Sequence, residues 1–418
     1  MSGFLADPIG FLILWFNALL KGWGIPEDLV LFISFVVGAM ILAICSLLLV
    51  VFLIWVERKI GGRVQDRLGP NRVGPFGVIQ PVADMLKIFT KEFITPDGVD
   101  KVAYNLAPIL SVGSVMMIWA VVPFAISMYG VNLNVGILYI VAVGGFGTLG
   151  IVMAGWGSNN KFALLGAFRG VAQLLSYEVP MVMSLLIPVM LAGSMNLNEI
   201  VRAQTVPFIV MAPIAALIFF ISSIAENGRA PFDLLEAESE IVAGFNIEYS
   251  GLKFGFFFVG DFMHAFTIAL LFSVVFLGGW LGPYSDQIPI LGFVYLLVKT
   301  SLVYFFGLLI RFTVPRLRID QMMAFNWKLL VPLSLATVSL TAIVDKLAPA
   351  DNLVVRVVAL VLVNLIIWLT MDEILGRVYK SPPRRMLVRH RRVESEDKET
   401  PDGFDAGSVP TENPAISS

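Results

Sequence analysis

The residues best placed to do chemistry lie between Ala225 and Gly251, AENGRAPFDLLEAESEIVAGFNIEYSG. Six carboxylates, Glu226, Asp233, Glu236, Glu238, Glu240 and Glu248, stand there against one internal base, Arg229. Carboxylates so close together cannot all ionise once water is withdrawn, so they titrate as a coupled set that can accept, hold or hand on a proton. The stretch separates two strongly apolar runs. Acids concentrated beside hydrocarbon point to a water-filled cavity, a proton path or a docking face. A solvated loop is the plain alternative for a charge run. Leu234, Leu235, Ile241, Val242 and Phe245, interleaved with the acids, form an apolar face that a solvated loop does not need. With Pro231 in a first turn, the spacing predicts a helix carrying Asp233, Glu236 and Glu240 on one face and Leu234, Ala237 and Ile241 on another.

Other ionisable groups stand within or beside apolar runs. Glu178 follows Tyr177 at the start of one run, where its charge would feel the cost of desolvation. Asp261 and Lys299 lie inside two later runs, and ionisable groups at such depth are usually paired and functional. His264, one turn from Asp261, reads as a packing residue, since no second histidine shares its face. Cys45 reads as a small buried apolar residue. One cysteine and two histidines, His264 and His390, exclude an iron-sulfur cluster, a zinc site or a bis-histidine haem built from this chain alone. Neither GxGxxG after a strand nor GxxxxGK[ST] occurs, which argues against nucleotide binding. Any redox centre must therefore belong to partners.

The elements that must position these groups are membrane helices. Apolar residues make up 57% of the chain, charged residues 14%, and the mean hydropathy is +0.84, whereas soluble domains are about a quarter charged. The expected fold is an all-α integral membrane protein, a polytopic bundle of about nine transmembrane helices with amphipathic interfacial helices and structured cytoplasmic loops. The candidate spans are 29–56, 107–127, 135–155, 177–193, 206–225, 254–279, 290–310, 329–344 and 353–371. Residues 1–28 form an N-terminal interfacial segment, with Trp15, Phe16 and Trp23 at headgroup level. The transmembrane domain is 29–380, with inner loops at 57–106, 155–177, 226–253 and 311–328; a charged tail, 381–418, is expected to be disordered. With the N-terminus outside, inner segments collect 24 of the 29 Lys and Arg residues, so the positive-inside rule puts the C-terminus in the cytoplasm.

The first inner loop opens ERKIGGRVQDRLGPNRVGPFG, in which Arg58, Arg63, Arg67 and Arg72 recur among residues that demand turns. These arginines suit either anionic lipid or carboxylates elsewhere in the fold. An amphipathic helix, 79–93, follows, with Gln80, Asp84, Lys87 and Lys91 on its polar side. A second basic patch, RFTVPRLRIDQMMAFNWK, runs from Arg311 to Lys328. No internal repeat is evident, which weighs against the repeated halves of many transporters.

Taken together, ERK with GPNRVGPFG and QPVADMLK, GWGSNNK with LLGAFR and AQLLSYE, PFDLLEAESEIVAGFNIEYSG, and PRLRIDQMM with WK resemble one family. It is the membrane subunit 1 family of proton-translocating NADH:quinone oxidoreductase, respiratory complex I. The resemblance runs from about Leu29 to Leu333, in order and on one side of the membrane. It implies a bacterial plasma-membrane subunit that anchors a peripheral redox arm, forms much of a quinone entry tunnel and begins a line of buried carboxylates. The implied partners are peripheral subunits carrying FMN and iron-sulfur clusters, antiporter-like membrane subunits, lipid quinone as substrate and membrane lipids, with no nucleic acid. The chain itself would bind no cofactor or metal and hold no catalytic residue alone.

Carried over onto matching positions, the proton-coupling set is Glu57, Asp84, Glu178, Glu226, Glu236, Glu238, Glu240 and Glu248, joined by Asp261 and Lys299. The implied quinone-binding set is Arg58, Arg63, Arg67, Arg72, Arg229, Phe232 and Asp233. Two positions depart from the family pattern. Gly228 stands where an Asn usually precedes the arginine, and Asp261 stands where many members carry a glutamate, one methylene longer. Two rival readings remain: the membrane subunit of an energy-converting hydrogenase, which would share the acids without a quinone tunnel, and a stand-alone secondary transporter.

Overall fold

The computed structural model describes residues 8–235, 242–348 and 352–380. The chain divides into two compact units after Met371, and in the second the described residues, 372–380, are helical. Among the described residues there is no strand. A helix α1 (Pro8–Gly22) precedes α2 (Glu27–Val64), and a shorter α3 (Gln80–Thr90) follows the first loop. The middle of the chain supplies α4 (Lys101–Trp119), α5 (Gly136–Gly157), α6 (Lys161–Ala192), α7 (Leu197–Ala203), α8 (Phe208–Met211) and α9 (Pro213–Glu226). The last third supplies α10 (Gly251–Phe276), α11 (Pro289–Thr313), α12 (Ile319–Leu347) and α13 (Leu353–Met371).

Eight of these helices, α2, α4, α5, α6, α10, α11, α12 and α13, are long and apolar enough to cross a membrane. The expected window at 206–225 is instead interrupted. Ala212 leaves helical geometry (φ −136°, ψ 64°), and α9 is a 14-residue helix, about 21 Å long at 1.5 Å per residue. That is shorter than the ~30 Å of bilayer hydrocarbon. Pro207 and Pro213, which cannot donate a backbone hydrogen bond, bracket the break.

Two expected inner loops are largely helix. α2 runs for 38 residues, about 57 Å, so Glu57 and Arg58 project from a rigid helix rather than a connector. α6 starts at Lys161, where the Asn160 side chain accepts a hydrogen bond from the Phe162 amide. No cluster of turn residues interrupts it before Pro180. The helix expected to begin at Pro231 does not form over 231–235, where turns and bends are found. The remainder of that expected helix, with Glu236, Glu238 and Glu240, lies outside the described residues, as does the tail from Ser381.

The axis of the bundle is α10: 78% of its apolar window is buried, against 17% for α2 and for α13, which occupy the periphery. Cys45 is accordingly exposed on α2 rather than buried. Phe219 of α9 packs on Phe272 and Phe276 of α10, and the Trp119 indole of α4 donates to Thr267 Oγ1 at 2.6 Å. Small residues allow close approach where apolar solvent gives no drive to associate. A Cβ on Gly150 or Gly157 of α5 would stand 3.1 Å from the Ala107 carbonyl or 2.8 Å from the Tyr104 amide of α4.

Prolines inside these helices free carbonyls four residues back, and side chains of other elements satisfy them. Pro108 frees Tyr104 O, which accepts from the Tyr249 hydroxyl at 3.1 Å. Pro180 frees Ser176 O, which accepts from Asn326 Nδ2 at 2.6 Å. At the break before α9, Met211 O accepts from Asn364 Nδ2 of α13 at 3.0 Å.

Candidate functional site

Arg229 sits just beyond α9 and is the centre of the site. The backbone reaches it through Gly228 at φ +61°, a left-handed conformation that a glycine adopts without strain. The chain then turns back because Gln173 Nε2 of α6 donates to both Ala225 O and Phe232 O, each at 2.6 Å. The Leu317 amide binds Pro231 O at 3.0 Å. Leu235 fills the space left by two missing side chains: a Cβ at Gly170 or at Gly228 would lie 2.3 Å from one of its methyl carbons. With the backbone polar groups engaged in this way, 231–235 has no need of helical hydrogen bonds.

The Arg229 guanidinium binds carboxylates from two helices. Nη1 donates to Glu57 Oε2 of α2 at 3.0 Å, while Nη2 and Nε donate to Asp261 Oδ2 of α10 at 2.9 and 3.1 Å. It also lies over the Phe262 ring, 4.6 Å from the centroid, a geometry that favours a cation. Burial alone would pull the guanidinium pKa down, but the charges of Asp261 and Glu57 outweigh it and hold the value above its usual range. The other Glu57 oxygen binds Arg311 Nη1 of α11, and the Tyr304 hydroxyl stands 3.5 Å from Glu57 Oε2. Two carboxylates and two guanidinium groups thus neutralise one another formally. Arg311 reaches Glu57 because Gly61, one turn on, has no side chain: a Cβ there would meet the Phe312 ring at 2.8 Å.

Beside this cluster lies a cavity of about 320 Å³, lined by Glu226, Arg229, Asp233, Asp261, His264 and Arg311 on its charged side and by Ser111, Ser114, Phe245 and Phe257 elsewhere. The volume is in the range of small-molecule sites. Glu226 Oε2 is buried there with no hydrogen-bond partner among the described residues. Glu178 of α6 is near enough to act on Glu226 electrostatically. The site can therefore hold a polar head in a charged chamber and respond to its charge by redistributing protons among carboxylates.

The structure brings Glu57, Glu226, Asp233, Asp261 and Arg229 together and sets other expected residues elsewhere. Arg58 pairs with Asp84, fastening α3 to the C-terminal end of α2, with Lys87 4.0 Å from the same carboxylate. Arg63, Arg67 and Arg72 are exposed and do not line the cavity; Arg67 Nε donates to Gln65 Oε1 at 2.8 Å. Phe232 is buried against Tyr177, with ring centroids 5.3 Å apart, and does not line the cavity either. Glu248 accepts from Asn160 Nδ2 at 2.7 Å on the far side of Tyr104 and Tyr249, whose rings stack at 4.2 Å. Lys299 binds Gly279 O and Leu281 O, both at 2.9 Å. It is 12 residues from Arg311 in α11, about 18 Å along the helix.

Sequence reasoning missed Arg311, Tyr304 and His264 as members of the site. Arg311 reads as part of a surface patch, and only its pairing with Glu57, 254 residues away, marks it. Tyr304 carried no signal. His264 was legible as one turn from Asp261, and it lines the cavity rather than filling the core.

A bundle of helices long enough to cross a membrane, with a compensated ion-pair cluster and an acid-lined chamber inside it, defines a polytopic membrane protein built to handle buried charge. The family model described as NADH dehydrogenase matches residues 37–342. A protein of Dehalococcoides mccartyi is 46% identical over 340 residues, covering 81% of this chain and 94% of its own length. One of Brevibacillus brevis is 45% identical over 313 residues, 74% of this chain and 93% of that protein. One of Geobacillus kaustophilus is 47% identical over 325 residues, 77% and 96% respectively. All three are named as the H subunit of NADH-quinone oxidoreductase. The chain belongs to the NADH dehydrogenase family, and α13 lies beyond the matched residues.

Proposed function

We propose that this chain is a membrane subunit of a proton-translocating NADH:quinone oxidoreductase in a bacterial plasma membrane, with its N-terminus outside and its C-terminus in the cytoplasm. Its inner face anchors peripheral subunits that hold FMN and iron-sulfur clusters, and its flank meets antiporter-like membrane subunits. The chain binds lipid quinone as substrate and carries no redox centre. The observation that carries this reading is the buried Arg229, held between Glu57 and Asp261 at the wall of a 320 Å³ cavity that also exposes Glu226 and Asp233. A quinone headgroup gains negative charge on reduction, and a preorganised guanidinium stabilises such charge where it develops. Arg229 and Asp233 line the chamber and Phe232, packed on Tyr177, backs the turn that carries them, whereas Arg58, Arg63, Arg67 and Arg72 serve its approach and the docking face. Glu226, Glu178 and the carboxylates Glu236, Glu238, Glu240 and Glu248 then carry the altered protonation laterally, with Asp84, Asp261 and Lys299 tuning the field around them.

The test replaces Glu226 or Glu236 by Gln in the native membrane. NADH oxidation linked to quinone should fall, while NADH oxidation by a hydrophilic acceptor that draws electrons near the flavin persists in assembled enzyme. Unchanged quinone-linked turnover and pumping in both variants would sink the assignment. The same preparation separates the rivals. A transporter would be active without flavin and iron-sulfur subunits, and a hydrogenase membrane component would purify with a hydrogen-activating partner.

A further inference from the structure

Asn326 is fully buried in α12 and opens a π-turn, Asn326–Leu330, that precedes Pro332. Its Oδ1 is buried without a hydrogen-bond partner among the described residues. An apolar side chain at this position would avoid that desolvation, so what the carboxamide alone supplies is its N–H. Nδ2 donates at 2.6 Å to Ser176 O, the carbonyl in α6 that Pro180 leaves without a helical donor. A second link runs back from the next residue of α6, where the Tyr177 hydroxyl donates to Met322 O at 3.1 Å. One turn earlier, Gln173 ties α6 to the backbone on either side of Arg229. Glu178 therefore leaves α6 from a proline-loosened turn held by Gln173 towards α9 and by Asn326 and Tyr177 towards α12.

We propose that Asn326 is a positioning residue for Glu178: by satisfying the carbonyl that Pro180 frees, it fixes the proline-containing turn of α6 that carries Glu178, one turn on from the Gln173 tie to Ala225 beside Glu226. α12 is then a brace for the carboxylate line rather than only a lipid-facing span. The inference deepens the quinone-coupling reading and rests on it. A helix turn with an unsatisfied carbonyl in a dry interior relaxes by rotating that carbonyl towards another donor, which re-aims the side chains two and three residues on.

The experiment uses the assembled complex in native membranes and compares E226Q, N326L, P180A and N326L/P180A. Loss of alignment in N326L should lower quinone-linked turnover about tenfold, with the hydrophilic-acceptor reaction retained. In P180A the restored amide of residue 180 can serve Ser176 O, so adding N326L to P180A should change turnover by less than about twofold. This rescue distinguishes a missing donor from lost packing. Wild-type turnover in N326L, where E226Q is impaired, overturns the inference, as does the same fold-loss with and without Pro180. If N326L does not assemble, recovery of assembled complex by P180A supports it and failure to recover overturns it. Full turnover in E226Q instead refutes the coupling reading, whatever the state of Asn326.

Discussion

Glu57 and Asp261 both bind Arg229, yet their replacement should have unequal consequences. The Glu57 side chain is 9% exposed and shared by two guanidinium groups, whereas the Asp261 side chain, at the cavity, is 41% exposed and among the described residues pairs with Arg229 alone. Glu57→Gln leaves Arg311 without its carboxylate and Arg229 with half its compensation inside the bundle. Unpairing a buried charge costs about 3–5 kcal/mol. Asp261→Asn also takes from Arg229 a partner bound through two nitrogens, but its own side chain is more than a third exposed and Arg311 keeps its carboxylate, so after discounting for screening its cost should be the smaller, about 1–2 kcal/mol. Thermal melting of the detergent-solubilised complex, followed by loss of this subunit, measures the difference. Glu57→Gln should lower the midpoint by about 5 °C or more and Asp261→Asn by about half as much or less. Coupling gives a second measure: combined with Arg229→Met, the Glu57→Gln cost should shrink by about 1–3 kcal/mol. Equal destabilisation by the two carboxylate variants, or strictly additive costs with Arg229→Met, would refute the claim that Glu57 is the buried hub.

Gly61→Leu should push Phe312 aside and draw Arg311 off Glu57, lowering quinone-linked turnover while the helix itself tolerates the change; retention of full turnover would show that the Arg311 contact is dispensable. Leu235→Ala removes the side chain lodged against Gly170 and Gly228 and should cost about 2–5 kcal/mol, read as a lower melting temperature of the complex. Burial, and after it the nearby Tyr104, pushes the Tyr249 hydroxyl above its usual pKa of 10.0. A raised folded-state pKa means that the folded form keeps its proton longer than the unfolded one. Stability from this group is complete below about pH 10 and declines as pH rises beyond it. Tyr249→Phe should flatten that alkaline decline in melting temperature, and an unchanged slope would argue against the buried hydroxyl as its source.

The membrane class was legible because burial in lipid requires long apolar runs, and most of the expected spans correspond to helices of the structure. The acid-rich stretch and Arg229 were legible because charge beside hydrocarbon is costly enough to need a reason. The apolar window over 206–225 hid a break, since hydropathy averages over Ala212 and both flanking prolines. The reach of α2 and α6 into their supposed loops was hidden too. Charged residues end a hydropathy window but do not end a helix whose backbone hydrogen bonds continue.

By itself, the sequence determined which residue types are available: a set of acids between apolar runs, few metal ligands, and arginines gathered in a few segments between those runs. Only the tertiary structure decided which of them meet. Arg229 could have served any of the acids around it, and it binds Glu57 and Asp261, 172 and 32 residues away. The shortened Asp261, flagged in the sequence only as a change of reach, places a single oxygen within hydrogen-bond distance of two guanidinium nitrogens. Arg58, from the same motif as Glu57, points instead to Asp84 on the surface. Neighbours on a helix differ by about 100° in direction, so adjacent residues of one motif are assigned to different environments by packing that neither residue encodes alone.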